Sequence, residues 1–179
     1  MAAAEGTPDY IDVDRHRDFK GRGFETWAQR VLLALFCALP IIALFNLFGQ
    51  NPGVKTVSNP NGAVELQLQA PRSVRSGVLF QARFDIHARR EIKDAVLVLD
   101  SGWLESMTVN TIEPSPSQEK SHDGQLALDL GDIPAGKLWR QYLEFQVNPV
   151  NLGSQVQGVT LYDGNVPLLH MGHRMRIWP

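Results

Sequence analysis

The densest group of side chains that could bind a metal ion lies in the segment His170–Met175, which reads HMGHRM. Imidazole and thioether groups are soft ligands that suit copper. Side chains three residues apart on a strand point to opposite faces, so His170 and His173 would converge only if Gly172 formed a bulge. The positive charge of Arg174 would also repel a cation. We therefore predict a strand that holds no metal or other cofactor and whose two histidines are candidates for contact with a partner.

No arrangement of residues indicates catalysis. The G-x-S-x-G motif of α/β-hydrolases is missing, and the single cysteine, Cys37, lies in an apolar stretch. Asp129 and Asp132 flank a turn, but a calcium site would need more oxygen ligands than this segment offers. We expect a protein without enzymatic activity.

The charge balance indicates no charged partner. The chain has 17 Lys and Arg residues against 19 Asp and Glu residues, for a formal net charge of −2. Such a balance creates no large field, and no nucleic-acid-binding motif occurs. We predict that the protein does not bind nucleic acid.

An apolar stretch near the start of the sequence predicts a transmembrane helix over residues 26–49. No charged residue occurs between Arg30 and Lys55. The 18 residues from Val31 to Phe48 would form a helix of about 27 Å, close to the roughly 30 Å thickness of the hydrocarbon core. The residues that we expect to form this anchor, in contact with the lipid bilayer, are Trp27, Val31, Leu35, Pro40, Leu44 and Phe48.

Three other interpretations of this stretch are a buried core helix, a cleavable signal peptide and a lipoprotein signal. A core helix would be apolar on one face only, whereas this stretch is apolar all round. A signal peptide would have a shorter leading segment and a small-x-small cleavage site. A lipoprotein signal would place a small residue before the cysteine, but Phe36 precedes Cys37. These differences favour an uncleaved anchor.

The distribution of basic residues predicts the orientation in the membrane. Only Lys55 follows the helix closely, whereas five basic residues precede it, namely Arg15, Arg17, Lys20, Arg22 and Arg30. Because basic segments stay in the cytoplasm, we predict a disordered cytoplasmic tail over residues 1–25. A linker over residues 50–62 would then lead to an extracytoplasmic domain over residues 63–179, held at the plasma membrane.

The apolar pattern changes to a period of two after Ala63. Val64, Leu66 and Leu68 alternate with polar residues, and similar runs recur between turn signals such as Asp163-Gly164. The polar segment 113–123 indicates a loop. This spacing predicts an all-β fold, an immunoglobulin-like antiparallel β-sandwich of seven or eight strands preceded by one transmembrane helix.

The segment Leu126–Pro149, LALDLGDIPAGKLWRQYLEFQVNP, adds a resemblance. A strand ending in Leu-Gly, a Pro-x-Gly turn and a strand ending in Asn-Pro resemble the penultimate hairpin of conserved-repeat bacterial Ig-like domains. The residues that carry the resemblance are Leu130, Gly131, Pro134, Gly136, Leu143, Phe145 and Val147. It implies a structural or adhesive module of the cell envelope without catalysis. Members of that family often recur in tandem, whereas this chain has a single copy.

The remaining candidates for partner binding are aromatic. Trp103 and Trp178 either pack in the core or, if exposed, mark an interface, since aromatic residues dominate binding hot spots. The segment Met175–Pro179 lies in the last predicted strand, which as an edge strand could accept another chain. A lone cysteine and the lack of Asn-x-Ser/Thr sequons favour a bacterial protein.

These observations predict a non-enzymatic, single-pass envelope protein whose β domain binds another protein. The partner would be a membrane or envelope protein, with this chain acting as an accessory or scaffold subunit. The alternatives are a sensor module for a small ligand or metal ion and, third, an enzyme.

Overall fold

A computed structural model of the chain describes residues 23–45, 49–105 and 107–179. The chain divides into two compact units, Met1–Phe45 and Asn46–Pro179. Most of the predicted tail lies outside the described residues, as do the predicted anchor residue Phe48 and four of the five basic residues, namely Arg15, Arg17, Lys20 and Arg22.

The first unit contains one helix, α1, over Gly23–Leu44. Its 22 residues would measure about 33 Å along the axis, and its mean hydropathy reaches 1.9 over 18 residues. None of its residues is buried, which argues against a buried core helix. The helix therefore has the length and composition of a membrane span, features that a signal sequence shares. The described anchor candidates, Trp27, Val31, Leu35, Pro40 and Leu44, all lie on α1.

The second unit is a β-sandwich of one antiparallel sheet and one mixed sheet. Its strands are β1 (Val54–Ser58), β2 (Val64–Gln69), β3 (Ser73–Arg75), β4 (Leu79–Ala88), β5 (Ile92–Leu99), β6 (Met107–Glu113), β7 (Gln118–His122), β8 (Gln125–Ile133), β9 (Lys137–Val147), β10 (Gly153–Asp163) and β11 (Val166–Trp178). One sheet has the order β1-β2-β4-β9-β6 and the other β3-β11-β10-β5-β8-β7. Neighbouring strands are antiparallel except for β3 and β11, which are parallel. The predicted all-β sandwich, preceded by one apolar helix of membrane-spanning length, is confirmed.

The described residues form eleven strands, more than the seven or eight predicted. The first, β1, lies inside the predicted linker and pairs with β2. The third, β3, has only three residues, and β7, which reads QEKSH, lies in the predicted loop. All three are short or polar strands at or next to a sheet edge, so none carries the alternating apolar pattern that identifies a half-buried strand.

The core lies between the sheets and follows the predicted alternation. Leu66 on β2, Phe84 on β4 and Phe145 on β9 are fully buried among apolar neighbours. Trp103, in a short 3₁₀ segment over Ser101–Trp103, fills the space beside them. Its ring centroid lies 5.1 Å from that of Phe145 and 5.7 Å from that of Phe84. The indole nitrogen donates a hydrogen bond of 2.8 Å to the carbonyl of Gly158, which satisfies the one polar group of this side chain.

Two turns test the sequence patterns. The predicted Asp163-Gly164 turn joins β10 to β11 as an antiparallel hairpin, and Gly164 has a φ of +58°. The segment Leu126–Pro149 does not form the hairpin that its resemblance implied. It contains β8 and β9, which belong to different sheets, and the turn between them leads the chain from one sheet to the other.

Candidate functional site

The two histidines of the HMGHRM segment lie on opposite faces of β11. His173 points inward, where its ring stacks on that of Trp103 with a centroid distance of 6.2 Å. His170 is exposed on the outer face, and its Nδ1 lies 2.9 Å from the hydroxyl of Thr160. Gly172 pairs regularly with Gly158 and forms no bulge. The two rings therefore share no site, and of the two only His170 lies on the outer face.

Burial makes His173 harder to protonate. Its Nε2 lies 3.0 Å from the carbonyl oxygen of Pro71. Burial lowers the pKa of His173, the hydrogen bond to Pro71 partly opposes this effect, and the charges of Lys55 and Arg72 lower it further. The ring is therefore neutral at pH 7.

The tryptophans do not form a common surface. Trp103 is 0% exposed, so its role is core packing and the alternative of an interface residue is wrong. Trp178 is half-buried, and the guanidinium of Arg176 lies 5.4 Å from the centre of its ring. The end of this strand is not an edge, because Arg176, Ile177 and Trp178 pair with β3. The predicted addition of another chain at Met175–Pro179 is therefore wrong.

The exposed apolar side chains concentrate at one end of the sandwich. We define the apolar end by Val78, Leu79, Val150 and Leu152, all of them exposed. It lies where β4 and β10 begin and where β9 and β11 end. The described residues of the second unit present nine exposed large apolar side chains, and only Leu138 and Val166 lie at the opposite end.

At the apolar end, hydrogen bonds connect the loop before β4 to the end of β9. The amide of Gly77 donates to the carbonyl of Val147 (3.1 Å), and the amide of Val147 donates to the carbonyl of Val78 (3.1 Å). A second set forms the turn after β9. The side-chain oxygen of Asn148 accepts a hydrogen bond from the amide of Val150 (3.1 Å), which leaves the Val150 side chain 82% exposed. An ordered turn thus presents an apolar residue to solvent.

The segment that contributes Val150 and Leu152 to the apolar end is free of charge. No charged residue occurs from Phe145 to Tyr162, a run of 18 residues. The cores of protein–protein interfaces are depleted of charged residues in the same way. The alternating pattern did not reveal this surface, because Val150 and Leu152 lie in a loop. The long uncharged run was the signal in the sequence.

The chain enters the sandwich beside the apolar end. The hydroxyl of Ser73 donates to the carbonyl of Gly49 (3.1 Å), and the side-chain amide of Gln50 donates to the carbonyl of Leu79 (2.9 Å). Arg72 and Ser73 also exchange backbone hydrogen bonds with Asn51. The first residues of the predicted linker are therefore attached to the sandwich, at Leu79 and near β3.

Comparison with known proteins adds little about function. No protein-family profile matches the chain, and no curated protein matches it. Among solved structures, the CARDB domain of a Pyrococcus furiosus protein is 8% identical with a TM-score of 0.41, the match covering 72% of this chain and 97% of that domain. CaCohA2 from Clostridium acetobutylicum is 11% identical with a TM-score of 0.42, over 73% of this chain and 92% of that one. AvmM, which catalyses macrocyclization in alchivemycin A biosynthesis, is 9% identical with a TM-score of 0.42, over 73% and 90%. Scores this low assign the chain to none of these families.

Proposed function

We propose that this chain is a non-enzymatic bacterial envelope protein that α1 anchors in the plasma membrane. Its β-sandwich lies outside the cytoplasm and binds a second membrane protein through the apolar end, as an accessory or scaffold subunit. The observation that carries the proposal is the concentration of exposed apolar side chains at the end where the chain enters the sandwich. Clusters of exposed apolar side chains often mark interaction sites in soluble domains.

The sequence around α1 supports anchoring with the N-terminus in the cytoplasm. The helix is apolar all round and has no buried residue, so lipid is the environment that suits it. Five basic residues precede its apolar core and one follows closely. This bias keeps the basic side in the cytoplasm and places the sandwich on the other side.

The length of chain between helix and sandwich supports a partner at the membrane surface. Gly49, whose carbonyl is bound by Ser73, follows the last helical residue, Leu44, by five residues. Five extended residues span at most about 18 Å. A domain tethered this closely meets a neighbouring membrane protein at a high effective concentration, which compensates for a small contact area.

Site-specific photo-cross-linking of the full chain in native membranes tests the proposal. A photoreactive amino acid replaces Val150 at the apolar end or, as a matched control, the similarly exposed Val166 at the opposite end. We expect a discrete protein adduct from position 150 and none from position 166. Mass spectrometry of the adduct would identify the partner and the residues that it contributes.

Two results would contradict the proposal. Equal adducts from both positions would mean that the apolar end has no special role. Adducts from position 150 to lipid alone would assign this end to the bilayer surface instead of to a protein.

A further inference from the structure

A groove lined by basic side chains lies between β1 and β11, beside the apolar end. Its volume is about 230 Å³, and Gly53, Lys55, Arg72, Gly172, His173 and Arg174 line it. No carboxylate contributes to the lining. A concave site of this composition offers several donors and no acceptor side chain except a neutral imidazole.

The backbone around the groove is ordered. The Lys55 ammonium donates a hydrogen bond of 2.5 Å to the carbonyl of Gly172. The amide of Arg72 donates to the carbonyl of Asn51 (2.7 Å), and the carbonyl of Arg72 accepts from the amide of Arg176 (2.9 Å). The Arg72 side chain packs over Gly53, where an added Cβ would lie 2.7 Å from its Cγ. Two cations are thus positioned before any ligand arrives.

The positive charge of the groove is not neutralised. Among the described residues, none of Lys55, Arg72 and Arg174 forms an ion pair with a carboxylate. Lys55 and Arg72 lie close enough to His173 for both charges to lower its pKa. Like charges that converge without a counter-ion oppose one another, and a bound anion would relieve that repulsion.

Gly172 leaves the groove open. A Cβ added there would meet no atom within 4 Å, and its backbone is not in the left-handed region. A glycine within a strand often marks a place where a ligand approaches the backbone closely. The position therefore offers a substitution that adds bulk at the rim of the groove without straining the strand.

We propose that Lys55, Arg72 and Arg174 bind a phosphate-bearing anion in this groove. Arginine suits this role because its planar guanidinium donates two parallel hydrogen bonds to phosphate oxygens, and lysine adds a point charge. The phosphate is supplied either by the headgroup of an anionic phospholipid or by a soluble phosphate compound. This inference does not depend on protein binding at the apolar end.

The test uses the full chain in nanodiscs and measures binding by tryptophan fluorescence, because Trp103 stacks on His173 beside the groove. One arm titrates inorganic phosphate at constant ionic strength into nanodiscs of phosphatidylcholine. The other compares phosphatidylcholine nanodiscs with nanodiscs that contain increasing phosphatidylglycerol. A saturable response to phosphate assigns a soluble ligand, and a response to phosphatidylglycerol alone assigns a lipid headgroup.

Two variants and a control link the response to the groove. We expect Arg72→Gln to weaken binding about tenfold or more, because it removes a charge-assisted hydrogen bond. Gly172→Leu adds a bulky side chain at the rim of the groove and should weaken binding while circular dichroism stays unchanged. Arg90→Gln makes the same charge change at an exposed position outside the groove and should have no effect. Absence of saturable binding in both arms, or an equal loss in Arg90→Gln, would overturn the proposal.

Discussion

Gly102 and Trp103 form one structural unit at the residue scale. Trp103 reaches its buried position only because the 3₁₀ segment lies directly against β10. Gly102 makes this approach possible, since an added Cβ would lie 1.9 Å from the carbonyl oxygen of Val156. That atom belongs to the backbone of a paired strand, so it cannot move without disturbing the pairing of β10 with β11.

The substitution Gly102→Ala should therefore lower the free energy of unfolding by about 1–3 kcal/mol, the usual range for overpacking. Denaturant unfolding of the full chain in detergent, followed by tryptophan fluorescence, measures the effect. Gly172→Ala is the matched control, because its Cβ meets nothing within 4 Å. Equal stability of the two variants would mean that the 3₁₀ segment does not contact β10 in this way.

Also at the residue scale, His173 should make the free energy of unfolding depend on pH. Burial lowers its pKa in the folded chain below the ordinary 6.5, so the unfolded chain binds a proton first as the pH falls. The free energy of unfolding should consequently fall from about pH 6.5 downwards and level off below the folded-state pKa. Lys55 and Arg72 contribute to this loss, because protonated His173 would lie near both charges.

The variant His173→Phe keeps an aromatic ring against Trp103 but does not titrate. Its unfolding curves between pH 7.5 and pH 5.5, a range of about one unit on either side of the histidine value, should change less than those of the natural chain. Identical pH profiles would show that the pKa of His173 is the same in the folded and the unfolded chain, so that burial does not lower it.

At the scale of elements, the sequence predicts the strands whose side chains alternate between core and solvent. Val64, Leu66 and Leu68 identify β2 because alternate positions are buried. β7 has no such signal, since it is an edge strand whose side chains are all polar and largely exposed. The resemblance predicts a hairpin between β8 and β9, whereas the two strands belong to different sheets. Local turn residues do not specify in which sheet the next strand pairs.

The candidate sites were less predictable for a physical reason. The apolar end and the basic groove each join segments that are far apart in sequence, such as Lys55 and Arg174. Their proximity follows from strand order, which local patterns do not determine. The separation of His170 from His173 was predictable, because it depends only on the alternation of side chains along one strand.

The double substitution Val150→Asp with Leu152→Asp tests the apolar end as an element. Carboxylates desolvated in an apolar interface are costly, so recovery of the partner by co-purification in mild detergent should fall about tenfold or more. Val166→Asp is the control at the opposite end, and all variants should unfold at similar temperatures because the altered side chains are exposed. Undiminished recovery of the partner with the double variant would exclude this surface.

At the scale of the whole molecule, the orientation of the chain decides which partners it can meet. The chain has one cysteine, Cys37, so a Cys37→Ser background gives a thiol-free protein. Ser121→Cys then places a thiol on the exposed β7, and Thr7→Cys places one in the N-terminal tail.

A membrane-impermeant maleimide applied to intact spheroplasts should label position 121 and not position 7. Position 7 should react only after the membrane is permeabilised, because the basic residues favour a cytoplasmic tail. The opposite labelling pattern would reverse the proposed topology. Labelling of both positions in intact spheroplasts would mean that the chain does not span the membrane.

The parallel pairing of β3 with β11 has a consequence for the order of folding. Ser73 pairs with Arg176, roughly a hundred residues later, so this contact closes one of the longest loops in the sandwich. Contacts between residues so far apart in sequence form slowly, because closing the loop costs chain entropy before packing contacts can offset it. The apolar helix, synthesised early and stabilised by local hydrogen bonds, can therefore reach lipid well before the six-stranded sheet is complete. During that interval the unpaired strands would depend on the polar edge strand β7 and on chaperones to avoid aggregation.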